Sequence, residues 1–272
     1  MDKSKNKSLK IGIITLLLIL LCHSILGSIS FKNFINLKAL ELIVSGVVLS
    51  IIISYSFETI IFTIHTIRNS FNVDIDYAMH IFTLYEFAIK VKKSGALKIE
   101  SEILEEENEF IKSAMSLVCD HEKPDNIRDI LEKDIESRRV KLFKAYNVLK
   151  MISQVAPSFG LVGTLIGMIG LLSHINNPKL IMVNMSSALV STLYGALIAN
   201  FIAVPLMGRV KELIDKRTLE YRIITEGTIL IAKNDSVRNV FDKMNVMLPD
   251  DLRLQYPKNF RERNYTENEI AL

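Results

Sequence analysis

Between Ala156 and Met207 the chain contains no aspartate and no glutamate, and Lys179 is the only formal charge. An acid at the centre of a membrane span costs about 2.5–3.5 kcal/mol on insertion scales and is kept there for function. A cation crossing hydrocarbon needs such a partner. This stretch can therefore line a path for an ion but cannot bind one alone, so a second subunit must bring the acid. Other absences narrow the chemistry further. Only two cysteines are present, Cys22 and Cys119. They lie too far apart in the topology below to pair, neither has metal-ligand spacing to a histidine, and each reads as a small buried hydrophobe. No metal site is expected. His23, His65, His80, His121 and His174 are scattered and receive no role. There is no G-x-x-x-x-G-K-[ST] phosphate loop and no Ser/His/Asp or Cys/His arrangement, so neither an enzyme nor a bound cofactor is expected. No internal repeat is visible.

What the chain does have is apolar sequence bunched into long runs, as in a membrane protein. The test is an uninterrupted apolar stretch of about 18 to 20 residues, which spans a bilayer at helical rise. Four stretches approach it. The first runs from Ile11 to about Ile29 behind the basic leader MDKSKNKSLK; it lacks an Ala-x-Ala cleavage pattern and reads as a retained span. The second begins near Ala39, the third covers Ile152 to Leu172 and the fourth Ile181 to Met207.

Basic residues set the orientation. Lys3, Lys5, Lys7 and Lys10 precede the first span, and Arg68 follows the second. Lys141, Lys144 and Lys150 precede the third, and Arg209, Lys211, Lys216 and Arg217 follow the fourth. The two outer turns carry only Lys32, Lys38 and Lys179. Both termini and the long middle segment are therefore expected in the cytoplasm. The net charge of +3 restates this boundary clustering and, without interleaved aromatics, gives no sign of nucleic-acid binding.

The expected fold is an all-α membrane protein: four transmembrane helices, a cytoplasmic helical domain between the second and third spans, and a cytoplasmic C-terminal helix. Its parts are a cytoplasmic N-terminus over 1–10, a first hairpin over 11–68, a helical domain over 69–150, a channel-forming hairpin over 151–207, C-terminal helices over 208–249 and a mobile tail over 250–272. In the middle segment Ile75, Met79, Phe82, Leu84 and Phe87 recur at helical spacing, as do Ile127, Ile130, Leu131 and Ile135. The acidic run from Glu102 to Glu109 reads as a solvated helix face. Pro124 marks a turn, Asn234 to Ser236 a helix break, and Pro249 the end of the last helix.

Within the charge-free pair, Gly160, Gly163, Gly167 and Gly170 fall at spacings of three and four, and Ser187, Ser191, Gly195, Ala199 and Ala203 repeat every four residues. Small residues let helix backbones approach in lipid, so these positions are expected to pack. Thr164 and Thr192 lie at comparable depth in antiparallel spans. Either hydroxyl alone could bond back to the carbonyl four residues earlier; the matched depth makes that account weaker for the two together. Pro157 and Pro205 fall at the cytoplasmic ends of the third and fourth spans, where a proline either closes a helix end or removes a backbone bond and kinks the axis. Pro205 sits inside a longer helical pattern, and the two together suggest a hinge.

The runs APSFGLVGTLIGMI and SSALVSTLYGALIAN, the latter followed by a proline, resemble the third and fourth spans of the MotA/PomA subunits of flagellar stators. ITEGTILIAKNDS with its later MLP is similar to that family's cytoplasmic tail, and KKSGALKIE to its rotor-facing loop. The resemblance covers about residues 10 to 250. It implies a multi-pass subunit of the bacterial inner membrane, five copies of it around two copies of a single-span MotB/PomB-type partner whose aspartate carries a proton or sodium ion. It further implies that ion passage turns the ring and that the 69–150 domain pushes on the rotor protein FliG. Moving one charge down 100 mV releases about 2.3 kcal/mol, enough for a few ions per step to do mechanical work. By position, Pro157 and Pro205 match the family's coupling prolines. Thr164 and Thr192, with Ser191 beside them, match the wall facing the partner's aspartate, and Gly160, Gly163, Gly167, Gly195 and Ala199 its packing positions. Lys92 and Glu100 match the rotor-contacting charges, with lysine where the family commonly has arginine, so the planar bidentate fork is lost. The related alternative is a TolQ/ExbB-type energiser of outer-membrane processes, which usually has three spans and no such rotor loop.

Overall fold

The computed structural model describes residues 35–72 and 75–257, with a few isolated positions between 12 and 20. The basic leader, most of the expected first span with Cys22, and the chain beyond Pro257 lie outside the described residues. Among the described residues every regular element is helical. In chain order these are α1 (Leu37–Ser54), α2 (Phe57–Asn72), α3 (Tyr77–Ser94), a 3₁₀ turn (Ala96–Ile99), α4 (Glu100–Leu104), α5 (Glu109–Cys119), α6 (Pro124–Ser173), α7 (Pro178–Leu197), a π-helical segment (Ile198–Ala203), α8 (Val204–Ala232), α9 (Val237–Val246) and a second 3₁₀ turn (Asp250–Leu252). Among the described residues three helices are long and apolar enough to cross a membrane: α1, α6 and the continuous helix Pro178–Ala232. Within the apolar window of α6 only 17% of the residues are buried, so most of its side chains face outward, as lipid or partner helices require.

Local chemistry explains the boundaries. The apolar run that begins near Ala39 does not continue as one helix: it breaks at Tyr55 and Ser56, where the Ser56 hydroxyl accepts the Thr59 N–H at 3.3 Å and starts α2. Asp76 caps α3 by accepting the Met79 N–H at 2.9 Å. Pro124 occupies the first position of α6, where its missing N–H costs nothing. α8 ends with Asn234 at φ 55 and the Asp235 N–H bonded to the Leu230 carbonyl at 3.1 Å, the reversal of a Schellman-type stop.

Two expectations change here. The acidic run is not one helix face, because α4 stops at Leu104 and the Asn108 side chain caps α5 by accepting the N–H groups of Phe110 and Ile111. The chain from Asp250 is not free as far as it is described: Leu254 exchanges two hydrogen bonds with the Asn245 side chain, at 2.8 and 2.9 Å. Tyr256 packs edge-on against Tyr85 and Phe241.

The chain forms two compact units. The first holds Ala156–Ala196 with the start of α1 up to Gly46. The second, Val47–Val155 and Leu197–Tyr256, has a core in which Ile81, Leu84, Phe110, Met115, Ile223 and Phe241 are each almost wholly buried. Ile127, Leu131 and Ile135 line that core, whereas Ile130 points outward.

Candidate ion-path wall

Glycine and serine bring α6 and α7 together within the first unit. A Cβ built on Gly195 would stand 2.6 Å from the Ala156 carbonyl oxygen, and one on Gly163 would stand 2.5 Å from the Ser191 Cβ. On Gly167 it would lie 2.6 Å from the Ala188 Cβ, and on Gly160 3.1 Å from the Ser191 carbonyl oxygen. A side chain at Gly163, Gly167 or Gly195 would force its neighbours to shift, and one at Gly160 would need them to give by a few tenths of an ångström. Gly170 is faced by the Asn184 amide, which the sequence reading had not singled out. Gly46 on α1 receives the ring of Phe159, and the Asn36 N–H donates to the Tyr194 hydroxyl at 3.1 Å.

This close approach carries Thr164 and Thr192 into contact, hydroxyl to hydroxyl. The Thr164 hydroxyl also lies 3.1 Å from the Gly160 carbonyl and 3.4 Å from that of Ala188, and the Thr192 hydroxyl 3.4 Å from the Gly160 carbonyl. Four oxygens thus converge from two helices. Thr164 does bond back to its own helix, but the same group meets Thr192 across the seam. Ser191 sits elsewhere: it is 2% exposed, donates to the Ser187 carbonyl at 2.8 Å and fills the space over Gly163. Its place is the packing seam, because residues one apart on a helix point about 100° apart.

The prolines occupy different settings. Pro157 lies inside α6, where it cannot donate to the carbonyl of Ser153. Pro205 opens α8, directly after the π-helical segment Ile198–Ala203 that contains Ala199. A π segment carries an extra residue in the turn and is frequent at functional sites. No sequence signal had marked it. Ala199 and Ala203 are buried within it, at 3% and 1% exposure.

In the second unit, Lys92 closes α3 and its ammonium donates to the carbonyls of Asn234 and Asp235, at 3.4 and 3.0 Å, just beyond the end of α8. The cation meets carbonyls at a helix C-terminus, where positive charge is favoured. Hydrogen bonds from Asn239 and the Ser236 N–H, with Lys92 nearby, hold the Asp235 carboxyl below the usual range. Glu100 is exposed at the start of α4.

The sequence reading missed Glu220. It is 1% exposed, on the stripe of α8 that also carries Ile223, Ile224 and Gly227. His80 Nε2 lies 3.1 Å from it, the Arg217 guanidinium donates at 2.8 Å and the Asn108 amide at 3.2 Å. Burial pushes the Glu220 carboxyl up, but the His80 hydrogen bond and the Arg217 charge outweigh it and the net shift is downward. An acid at an apolar position of a helical stripe was the available signal. Glu220 stands at the edge of an open cleft of about 730 Å³ lined also by Phe62, Asn69, Arg138 and Lys141.

Comparison with known proteins agrees with this architecture. Residues 102–223 match the model of the MotA/TolQ/ExbB proton channel family. A Motility protein A of Aquifex aeolicus is 28% identical over 245 residues, 89% of this chain and 96% of that protein. The solved structure of MotAB from C. jejuni shares the fold with a TM-score of 0.81 at 24% identity, covering 91% of this chain and 98% of that one. The flagellar MotAB stator complex from Bacillus subtilis gives 0.78 at 23% identity, covering 89% and 95%.

Proposed function

We propose that this chain, a member of the MotA/TolQ/ExbB proton channel family, is the channel-forming stator subunit of a bacterial flagellar motor. The observation that carries the reading is the group of four oxygens from Thr164, Thr192, Gly160 and Ala188, set in a helix pair that contains no acid. Hydroxyl and carbonyl oxygens can share the shell of a passing cation, and the compensating charge has to come from outside the chain. A single-span MotB/PomB-type subunit carrying an aspartate supplies it. The ring is a pentamer of this chain around a partner dimer, in the inner membrane, with four spans per copy and both termini in the cytoplasm.

Each ion neutralises the partner's aspartate, and the ring steps as Pro157 and the π segment ahead of Pro205 yield. The π segment supports this role for Pro205: its backbone bonds are already displaced from the α pattern, so bending there breaks fewer of them. Lys92 and Glu100 lie on the surface that meets FliG. An energiser of the TolQ/ExbB type is less favoured, since several relatives matched over most of their length are named motility proteins.

The ion is a proton or sodium; the two threonine hydroxyls lean towards sodium. Swimming speed is the test. A strain deleted for this chain should be non-motile, and in the complemented strain speed should rise with sodium concentration and withstand a protonophore. Speed that ignores sodium and collapses with the protonophore assigns the path to protons. Undiminished swimming of the deleted strain would overturn the stator reading.

A further inference from the structure

The corner between α3 and α5 presents aliphatic side chains that folding leaves uncovered. The 3₁₀ turn and α4 form one continuous helical stretch in which Ile99 and Ile103 are buried, at 2% and 1% exposure. Leu97 and Leu104, on the other side, are 62% and 60% exposed. Spacings of three and four place Glu100 between them on that outer side. Around them Lys93, Lys98 and Glu105 are also exposed.

The corner is held firmly from beneath. The Lys92 ammonium grips the carbonyls beyond α8, the Cys119 thiol lies 3.2 Å from the Ala96 carbonyl, and the Lys112 ammonium donates to the Leu104 carbonyl at 2.7 Å. Gly95 makes the turn into it at φ 83, a conformation that other residues rarely adopt. Two leucines exposed on a braced backbone lose little conformational freedom when covered, which favours binding. The rim carries both signs. A lipid headgroup surface calls for basic residues alone. An aliphatic centre with lysines and glutamates around it instead suits a protein surface with bases and acids in complementary places.

We propose that Leu97 and Leu104 form the apolar centre of the surface this chain offers to the rotor, and that they are covered by a rotor helix bearing aliphatic side chains bordered by acidic and basic ones. The proposal rests on the stator reading. Charges at a rim set encounter and register, while desolvated apolar groups at the centre carry most of the affinity. Lys93, Lys98, Glu100 and Glu105 thus align the contact, and the leucines hold it.

The test uses the full stator complex with the double variant Leu97→Ala, Leu104→Ala. Torque per stator in a tethered-bead assay, and binding of the purified complex to immobilised rotor protein, should each fall about tenfold or more. Subunit number by mass photometry, co-purification with the single-span partner and ion flux in vesicles should match wild type. The variant Leu97→Met, Leu104→Met should retain torque. Torque within about twofold of wild type for the alanine pair would overturn the proposal. So would a changed subunit number, which would assign the leucines to a neighbouring copy, or lost ion flux, which would assign them to conduction. Motility of a strain lacking the chain altogether would instead bring down the stator reading, and so is measured first.

Discussion

Glu220 is a residue at which the second unit is vulnerable to a single change. Three donors, from His80, Arg217 and Asn108, converge on a carboxylate that is 1% exposed. In Glu220→Gln an amide would turn N–H groups toward donors, leaving at least one buried group unsatisfied. We expect a loss of about 1–3 kcal/mol, read as a lower melting midpoint of the detergent-solubilised complex. The wild type should also respond to acid through this group. The folded pKa of Glu220 lies below the ordinary 4.5, so its contribution is complete above that value and is lost as pH falls through the folded pKa. Melting midpoints measured from pH 7 down to pH 4 should therefore decline more in wild type than in Glu220→Gln. Parallel curves would show that the carboxylate does not carry this part of the stability.

At the scale of helices, two glycines make opposite predictions. Gly195 faces the Ala156 carbonyl, a backbone atom that cannot swing away, whereas nothing lies within 4 Å of a Cβ at Gly208. Gly195→Ala should push α6 and α7 apart at a cost of about 1–3 kcal/mol and stop motility. Gly208→Ala should leave motility intact and stabilise α8 by about 0.5–1 kcal/mol. Thermal midpoints and swimming speed of the two variants separate the cases, and equal behaviour would mean that close approach at Gly195 is unimportant. Pro205→Ala makes a third case. It restores an N–H able to donate to the Phe201 carbonyl and favours regular α-helix across Ile198–Ala203. The protein should insert normally and swimming should cease; unchanged swimming would remove the hinge from that site. Much at this scale was legible beforehand. Pro124, Asn234 and Ser236 act through backbone chemistry that depends on a few neighbouring residues, and each marked a true helix boundary. The break at Ser56 escaped because the apolar residues on either side form one run, and hydropathy cannot distinguish a span from a span followed by a capped helix. The π segment escaped because it depends on packing around IANFIA rather than on any residue in it. The meeting of Thr164 with Thr192 was half legible: depth could be counted along each helix, but the rotation that turns Ser191 into the seam and Thr192 toward Thr164 is set by how α6 and α7 pack.

For the whole molecule the governing fact is the separation of charge from hydrocarbon. Basic residues gather before Ile152 and after Met207, while between them only Lys179, in the first turn of α7, is charged. Bringing the opposite arrangement into the bilayer would carry Lys141, Lys144, Lys150, Arg209 and Lys211 outward, against the bias that retains basic segments in the cytoplasm. The long polar helices of the second unit fold around their own core. The resulting topology can be read with single cysteines in a background where Cys22 and Cys119 are replaced by serine. Asn177→Cys, in the turn between α6 and α7, should react in intact cells with a thiol reagent that cannot cross the inner membrane. Lys123→Cys, in the turn before α6, should react only after the membrane is opened. Labelling of both in intact cells, or of Lys123→Cys alone, would reverse the orientation. It would also remove the corner bearing Leu97, Glu100 and Leu104 from the compartment in which a rotor could meet it.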